Sequence, residues 1–299
     1  MKNYKLKLCV LGFVLAFTVA AATAADAPKL TFKFTKANVP GAIYTFPGGI
    51  NNAGVMCGQY EDKNKVFHGY ILNGKKLTTL DYPNGTNTVA SLPNYNGPIM
   101  VVGWYTNSSN QYEGFLYKGG KYTPIPGPEG ATASSAYGIN DKGEIVGWYS
   151  DSSGITHGFL LKGTTYTTLD VPGSSGYTVA SGINNHGIIT LFWGDSNHNW
   201  NSSTYDGKAY KTIDVPGSMV MGAIANDLNN EGDVSYQWVD TGKPPLWHGA
   251  LRHNGKYYKY DFPKSYQTYG DGINDKSTLV GAYQVQLDGT AYGFKATFK

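Results

Sequence analysis

Cysteine is nearly missing: Cys9 and Cys57 are the only two in 299 residues. Cys9 falls in the N-terminal leader and precedes its apolar stretch, too early for a lipoprotein cysteine. Cys57 is then left alone, which excludes an internal disulfide in the mature chain. Glutamate is scarce, at five residues, and no stretch of 3.6-residue apolar period follows the leader, so little room is left for helix. No apolar run after the leader reaches the roughly 20 residues of a membrane-spanning helix. Familiar catalytic signatures are lacking: there is no Gly-x-Ser-x-Gly, His-Glu-x-x-His, Gly-x-Gly-x-x-Gly or P-loop. No Lys/Arg-rich patch invites nucleic acid.

The first 24 residues read as a secretory signal peptide. Lys2, Lys5 and Lys7 form a basic head, Leu8 to Ala21 an apolar stretch, and Ala22-Thr23-Ala24 a small-x-small cleavage site. The expected location is extracytoplasmic, secreted or periplasmic, in a bacterium. The whole chain carries 24 basic and 21 acidic residues, and loss of three leader lysines leaves 21 of each. The mature chain is therefore neutral, and the basic pI of the full chain is no argument for a polyanionic partner.

Tyrosine (24), phenylalanine (12), tryptophan (6) and glycine (39) are abundant, which favours short strands joined by tight turns. A signature recurs about every 45 residues, the mark of an array of small all-β units. It begins Gly-Ile-Asn-(Asn/Asp), at Gly49-Ile50-Asn51-Asn52, Gly138-Ile139-Asn140-Asp141, Gly182-Ile183-Asn184-Asn185 and Gly272-Ile273-Asn274-Asp275. Asp227-Leu228-Asn229-Asn230 is a fifth start, and Leu92-Pro93-Asn94 a worn sixth. A Val/Ile-Gly-x-Tyr/Trp run, a His-Gly-aromatic step and a Thr-Thr-Leu-Asp-Val-Pro-Gly ending follow.

Each repeat reads as four antiparallel strands. In the third, Asn140-Asp141-Lys142-Gly143 makes the first hairpin turn, Asp151-Ser152-Ser153-Gly154 a polar loop, and Val171-Pro172-Gly173 the stop. This is the pattern of a propeller blade, with small residues on the innermost strand at Ala90-Ser91, Ser135-Ala136, Ala180-Ser181 and Gly222-Ala223. The last repeat ends at Phe298 with no fourth strand of its own, whereas the mature chain opens with an orphan, Leu30 to Phe34, followed by Asn38-Val39-Pro40-Gly41. The expected fold is thus one domain over residues 25–299: a six-bladed β-propeller closed by the N-terminal strand completing the last blade, with no exposed sheet edge. An open or sandwich-like β array is the alternative.

His68-Gly69-Tyr70, His157-Gly158-Phe159 and His248-Gly249-Ala250, with Gly-Ile-Asn-(Asn/Asp)-x-Gly ahead of them, resemble the HAF-type extracellular repeats of bacteria. The resemblance covers essentially the whole mature chain. It implies a secreted or envelope protein of propeller fold and implies no catalytic residues. Blades two and four depart from it, with Glu113-Gly114-Phe115 and Ser203-Thr204-Tyr205 at the His step.

The three repeat histidines, in alternate blades and two strands out from the axis, are too far apart to share a metal ion at ~2 Å; strand-start hydrogen bonding is the expected role. Asp81, Asp170, Asp214 and Asp261 are expected to accept backbone N–H groups at strand ends. Function in a ring of equal blades should lie where equality breaks, and two loops break it most. They are Trp193 to Trp200 in blade four and Trp238 to Trp247 in blade five. Trp193, Asp195, Asn197, His198, Trp200, Trp238, Asp240, Lys243 and Trp247 form the candidate ligand site, with stacking faces beside hydrogen-bonding groups that suit a sugar ring. Asp195-Ser196-Asn197-His198-Asn199 also resembles the front of a calcium loop, but Trp200 stands where glycine is wanted. No metal or cofactor is expected. The leading expectation is a monomeric, non-enzymatic binding module for a glycan or surface partner. The alternatives are a carbohydrate-active enzyme, a glycoside hydrolase or polysaccharide lyase using Asp151, Asp195 and Asp240 as paired acids, and a structural envelope module.

Overall fold

The computed structural model describes residues 30–197, 199–215 and 222–299. The leader lies outside these residues, as does His198. Strand β1 is Phe32–Lys36. Blade one is β2 (Tyr44–Ile50), β3 (Met56–Glu61), β4 (Phe67–Asn73) and β5 (Lys76–Leu80). Blade two is β6 (Thr86–Pro93), β7 (Met100–Thr106), β8 (Tyr112–Lys118) and β9 (Lys121–Ile125). Blade three is β10 (Ala133–Ile139), β11 (Ile145–Ser150), β12 (Thr156–Lys162) and β13 (Thr165–Leu169). Blade four is β14 (Thr178–Ile183), β15 (Ile189–Gly194), β16 (Trp200–Tyr205) and β17 (Tyr210–Thr212). Blade five is β18 (Ala223–Leu228), β19 (Val234–Val239), β20 (Trp247–His253) and β21 (Lys256–Tyr260). Blade six is β22 (Gln267–Ile273), β23 (Thr278–Gln284), β24 (Tyr292–Phe298) and, last, β1. No helix among the described residues is long and apolar enough to cross a membrane.

The six-bladed ring expected from the sequence is present, closed where the orphan strand predicted it. β1 pairs antiparallel with β24 from Phe32↔Phe298 to Lys36↔Phe294. Phe34 packs its ring against Phe262, Phe294 and Tyr260, at centroid distances of 5.6, 5.6 and 6.0 Å. Each innermost strand touches the innermost strands of both neighbouring blades around a complete circuit.

Within a blade, a glycine on the second strand lets a third-strand aromatic lie flat beneath the first. A Cβ on Gly147 would stand 2.0 Å from the Ser135 carbonyl oxygen and 3.0 Å from the buried Phe159 ring. Gly103 with Phe115 and Gly281 with Phe294 repeat the arrangement. This explains both the Val/Ile-Gly and the Gly-aromatic steps of the repeat: each is one half of the same close contact. Two alignments shift once register is known. In blade four, Asn201 pairs with Trp193, so Asn201-Ser202-Ser203 occupies the His-Gly-aromatic step rather than Ser203-Thr204-Tyr205. In blade five the small inner residue is Ala225, opposite Tyr236, and not Gly222-Ala223.

The Gly-Ile-Asn-(Asn/Asp) beat is the fastening between blades. The buried Asn140 accepts the Lys142 and Glu144 N–H groups on its Oδ1, both at 3.1 Å, and so holds its own hairpin turn. Its amide then donates to the Asn184 carbonyl of the next blade at 3.2 Å. Asn184 does the same to Asn229, Asn229 to Asn274, and Asn274 to Asn51 across the closure. The next residue, or in blade two Asn96, two after Asn94, runs a second circle. Asn52 donates to Asn96, Asn96 to Asp141, Asp141 to Asn185, Asn185 to Asn230, Asn230 to Asp275 and Asp275 back to Asn52, at 2.7 to 3.1 Å. Buried amides and carboxylates are tolerated here because nearly every donor and acceptor has a partner.

Candidate functional site

The inner strand of every blade carries an extra residue. Its register slips between Pro47 and Gly49, Ala90 and Pro93, Ala136 and Gly138, Ala180 and Gly182, Ala225 and Asp227, and Gly270 and Ile273. A bulge turns its unpaired residue out of the ladder and re-aims it. Gly48, Ser91, Tyr137, Ser181, Asn226 and Asp271 are the residues so released, and all six line one cavity of about 210 Å³ at the centre of the ring. Phe46, Gln59, Val89, Leu92 and Trp104 are among the other residues of its wall. Six equivalent positions of a six-fold frame thus present five side chains of four chemistries, and one bare glycine, to a single chamber.

One end of the chamber is shut. Tyr95, from the first turn of blade two, is buried and donates its hydroxyl to the Leu228 carbonyl of blade five, on the opposite side of the ring. Burial raises its phenol, and the carboxylates of Asp227, Asp275 and Asp141 push it further in the same direction. The Asn/Asp circle surrounds this plug.

The open end is rimmed by aromatic rings one row further along the strands. Trp247 lies 6.2 Å from Tyr269, Tyr269 lies 5.7 Å from Phe46, and Phe46 stacks on Tyr44 at 6.3 Å. Trp104 meets Tyr112 edge-on at 4.9 Å, and Tyr112 meets Trp148 at 6.2 Å. Tyr177 meets Trp200 at 5.0 Å and Phe192 at 6.5 Å. Tyr112 and Tyr177 are exposed. Every blade contributes at least one ring to this collar.

Two carboxyls sit at the axis. Asp271 faces the chamber; burial lifts its pKa well above the carboxylate range, and the neighbouring Asp227 adds to the shift. Its Oδ2 is withdrawn from water and has no hydrogen-bond partner. Asp227 replaces the glycine of the repeat. It accepts the Leu228 N–H at 2.8 Å and the Ile273 N–H at 3.0 Å, yet burial still raises its pKa to about 8.

The loop residues singled out in the sequence are placed as follows. Trp200 and Trp247 stand in the collar. Trp193 packs within blade four and donates Nε1 to Ser203 at 3.1 Å. Trp238 is buried, donates to the Gly249 carbonyl, stacks on His248 at 4.8 Å and carries the Lys259 ammonium 3.5 Å from its ring centre. Asp195 and Asp240 begin the loops between second and third strands. Asp195 accepts the Asn197 and Asn199 N–H groups, and Asp240 those of Gly242 and Leu246. These bonds hold both carboxyls below their usual range, and the same holds for Asp151. Asn197 and Lys243 are exposed.

Each repeat histidine sits between two carboxylates of its own blade. The Nδ1 atoms of His68, His157 and His248 lie 2.7, 3.0 and 2.9 Å from Asp81, Asp170 and Asp261, the aspartates of the Leu-Asp steps. Their Nε2 atoms face Asp62, Asp151 and Asp240. The repeat Asp therefore answers the repeat His. Only in blade four, where the His is replaced, does Asp214 accept a backbone N–H instead, from Ser202 at 2.7 Å. In blade two Glu113 takes the His place, receiving the Tyr105 hydroxyl and the Asn107 amide.

The axial residues lie outside the irregular loops, and their signal is inside the repeat: the position three before the buried Asn is Gly48, Ser91, Tyr137, Ser181, Asn226 and Asp271, which changes chemistry from blade to blade more than the mostly small residues on either side.

No family model matches the chain, and no curated protein matches it in sequence. Solved structures do resemble it. The SapL1 lectin in complex with α-methyl fucoside superposes with a TM-score of 0.55 at 12% identity, covering 86% of this chain and 95% of that one. A mutant of the Aleuria aurantia lectin in complex with α-methyl-L-fucoside gives 0.54 at 12%, covering 89% and 96%. A Trypanosoma rangeli sialidase gives 0.55 at 9%, covering 90% of this chain but only 59% of that one. At such identities the likeness is one of fold.

Proposed function

We propose that the protein is a non-enzymatic carbohydrate-binding propeller, exported from a bacterial cell, that holds one glycan end at its axis. The observation that carries this reading is the aromatic collar around a chamber floored by hydroxyl, amide and carboxyl groups. Sugar rings offer apolar C–H faces and polar edges, and stacking rings over directional hydrogen-bonding groups complement both. Trp200 and Trp247 serve as packing faces of the rim, and the exposed Asn197 and Lys243 extend the contact outward with the rest of the two irregular loops. The carbohydrate partners of the similar lectins support the same class of ligand. The Asp151, Asp195 and Asp240 carboxylates are occupied in holding their own loops, which favours binding over paired-acid hydrolysis, where one acid must stay protonated. We also read the chain as a divergent HAF-type repeat protein, on the strength of its Gly-Ile-Asn and His-Gly-aromatic steps.

A glycan array followed by calorimetry tests the proposal. Binding should occur with one ligand per chain and be lost in Trp104→Ala, whose ring borders both chamber and collar. Turnover of a bound glycan, or no binding to any carbohydrate, would overturn it. N-terminal sequencing of the exported protein is expected to begin at Ala25.

A further inference from the structure

The six axial positions differ in one respect that has a chemical consequence. Ser181 donates its hydroxyl to the Ala225 carbonyl of the next blade at 2.6 Å. Asn226 donates its amide to the Gly270 carbonyl of the next blade at 2.7 Å. Each thus uses its donor on the strand beside it. Asp271 holds the corresponding place in blade six, yet its Oδ2 makes no such bond to the strand beside it. Its Oδ2 remains without a partner. No lysine, arginine or histidine lines the chamber. Asp227 is the titratable group that acts on Asp271, and the phenols of Tyr44, Tyr70, Tyr137 and Tyr260 feel Asp271 in turn; all are acids, and none is a base. Phe46, Trp104 and Tyr137 line the same chamber as Asp271.

An unpartnered carboxyl in an aromatic-walled chamber complements a cation, whose charge favours its ionised form. An ammonium group gains a charge-assisted hydrogen bond from the carboxylate and attraction from the ring faces, both strengthened away from water. A metal ion is less suited: Asp227 already accepts two backbone N–H groups, and no set of three metal-ligating side chains occurs among the described residues. The cavity, at about 210 Å³, is smaller than the roughly 300–1,000 Å³ of pockets that engulf a whole drug-sized ligand. It suits one end of a chain.

Resting on the carbohydrate reading above, we infer that the axial chamber takes the free amino group of an amino sugar, one per propeller, with Asp271 as its acceptor and Phe46, Trp104 and Tyr137 as its walls. The class is a glycan with an unacetylated hexosamine end.

Calorimetry with glucosamine oligomers and with their fully N-acetylated counterparts tests this. The glucosamine oligomers should bind with a stoichiometry of one, at least about tenfold more tightly than the acetylated ones, the scale of one charge-assisted hydrogen bond. Asp271→Asn should lose that preference. Asparagine already occupies the matching place at Asn226, so the variant has a precedent for folding, and its unfolding midpoint checks that it does. Equal or tighter binding of acetylated oligomers, an unchanged preference in Asp271→Asn, or several equivalents per chain would overturn the inference while leaving a glycan-binding propeller standing. Failure of every carbohydrate to bind would instead remove the function on which it rests.

Discussion

The Tyr95 hydroxyl donates to the Leu228 carbonyl across the axis of the ring, joining blade two to blade five. Most inter-blade bonds pass between neighbours; this one ties opposite sides and closes one end of the central chamber. Tyr95→Phe removes the donor and leaves the buried carbonyl without it, at an expected cost of about 1–3 kcal/mol. Urea unfolding should show the loss, and unchanged stability would mean that water replaces the hydroxyl there.

Ring closure depends on β1. Phe34→Ala removes contacts with Phe262, Phe294 and Tyr260 from a half-buried position, so a loss of roughly 1–3 kcal/mol is expected, below the full cost of a core phenylalanine. Amide exchange along β24 should accelerate most. Uniform acceleration in all six blades would show instead that the ring opens as a whole.

Asp227 carries a pH signature. Its folded pKa is raised to about 8, so between the ordinary carboxylate range and that value the folded state holds a proton that the unfolded state has released. Stability from this group is greatest at acid pH and falls as pH rises through the window, by up to about 1.4 kcal/mol per pH unit. Asp227→Asn cannot ionise and should flatten that slope, at a pH-independent cost because its amide can accept only one of the two N–H groups. Parallel profiles for the two proteins would contradict the assignment.

His248 behaves in the complementary way. The hydrogen bond it donates to Asp261 is the largest influence raising its pKa, with Asp240 adding to it. The stabilisation is complete below the ordinary imidazole value and is lost as pH climbs through the raised folded value. Asp261→Asn should move the His248 titration toward acid in an NMR experiment. An unmoved titration would mean that the pair is not populated in solution.

Much of this architecture can be read directly from the chain because the repeat encodes contacts rather than mere periodicity. Gly147 and Phe159 are two halves of one packing contact, and both are visible as repeat steps. Asn140 is visible because it satisfies its own turn and the next blade together. The orphan strand announced ring closure because a blade lacked its fourth member. The His–Asp pairs were harder to see. His157 and Asp170 lie 13 residues apart, and only the register of β12 with β13 brings them side by side. The axial chamber was hardest, because a bulge is a defect in alternation. A period-two reading of β22 assigns Asp271 a face, but the slip between Gly270 and Ile273 gives it another direction.

Pairing of β1 with β24 sets an order of events during biogenesis. β1 leaves the ribosome well before β24 and cannot take its place in blade six until β24 has been made. Until then blade six offers two unsatisfied edges, rich in phenylalanine, to any other chain nearby. A holding chaperone, or rapid passage to a dilute compartment, would protect that interval better than any change to the finished ring.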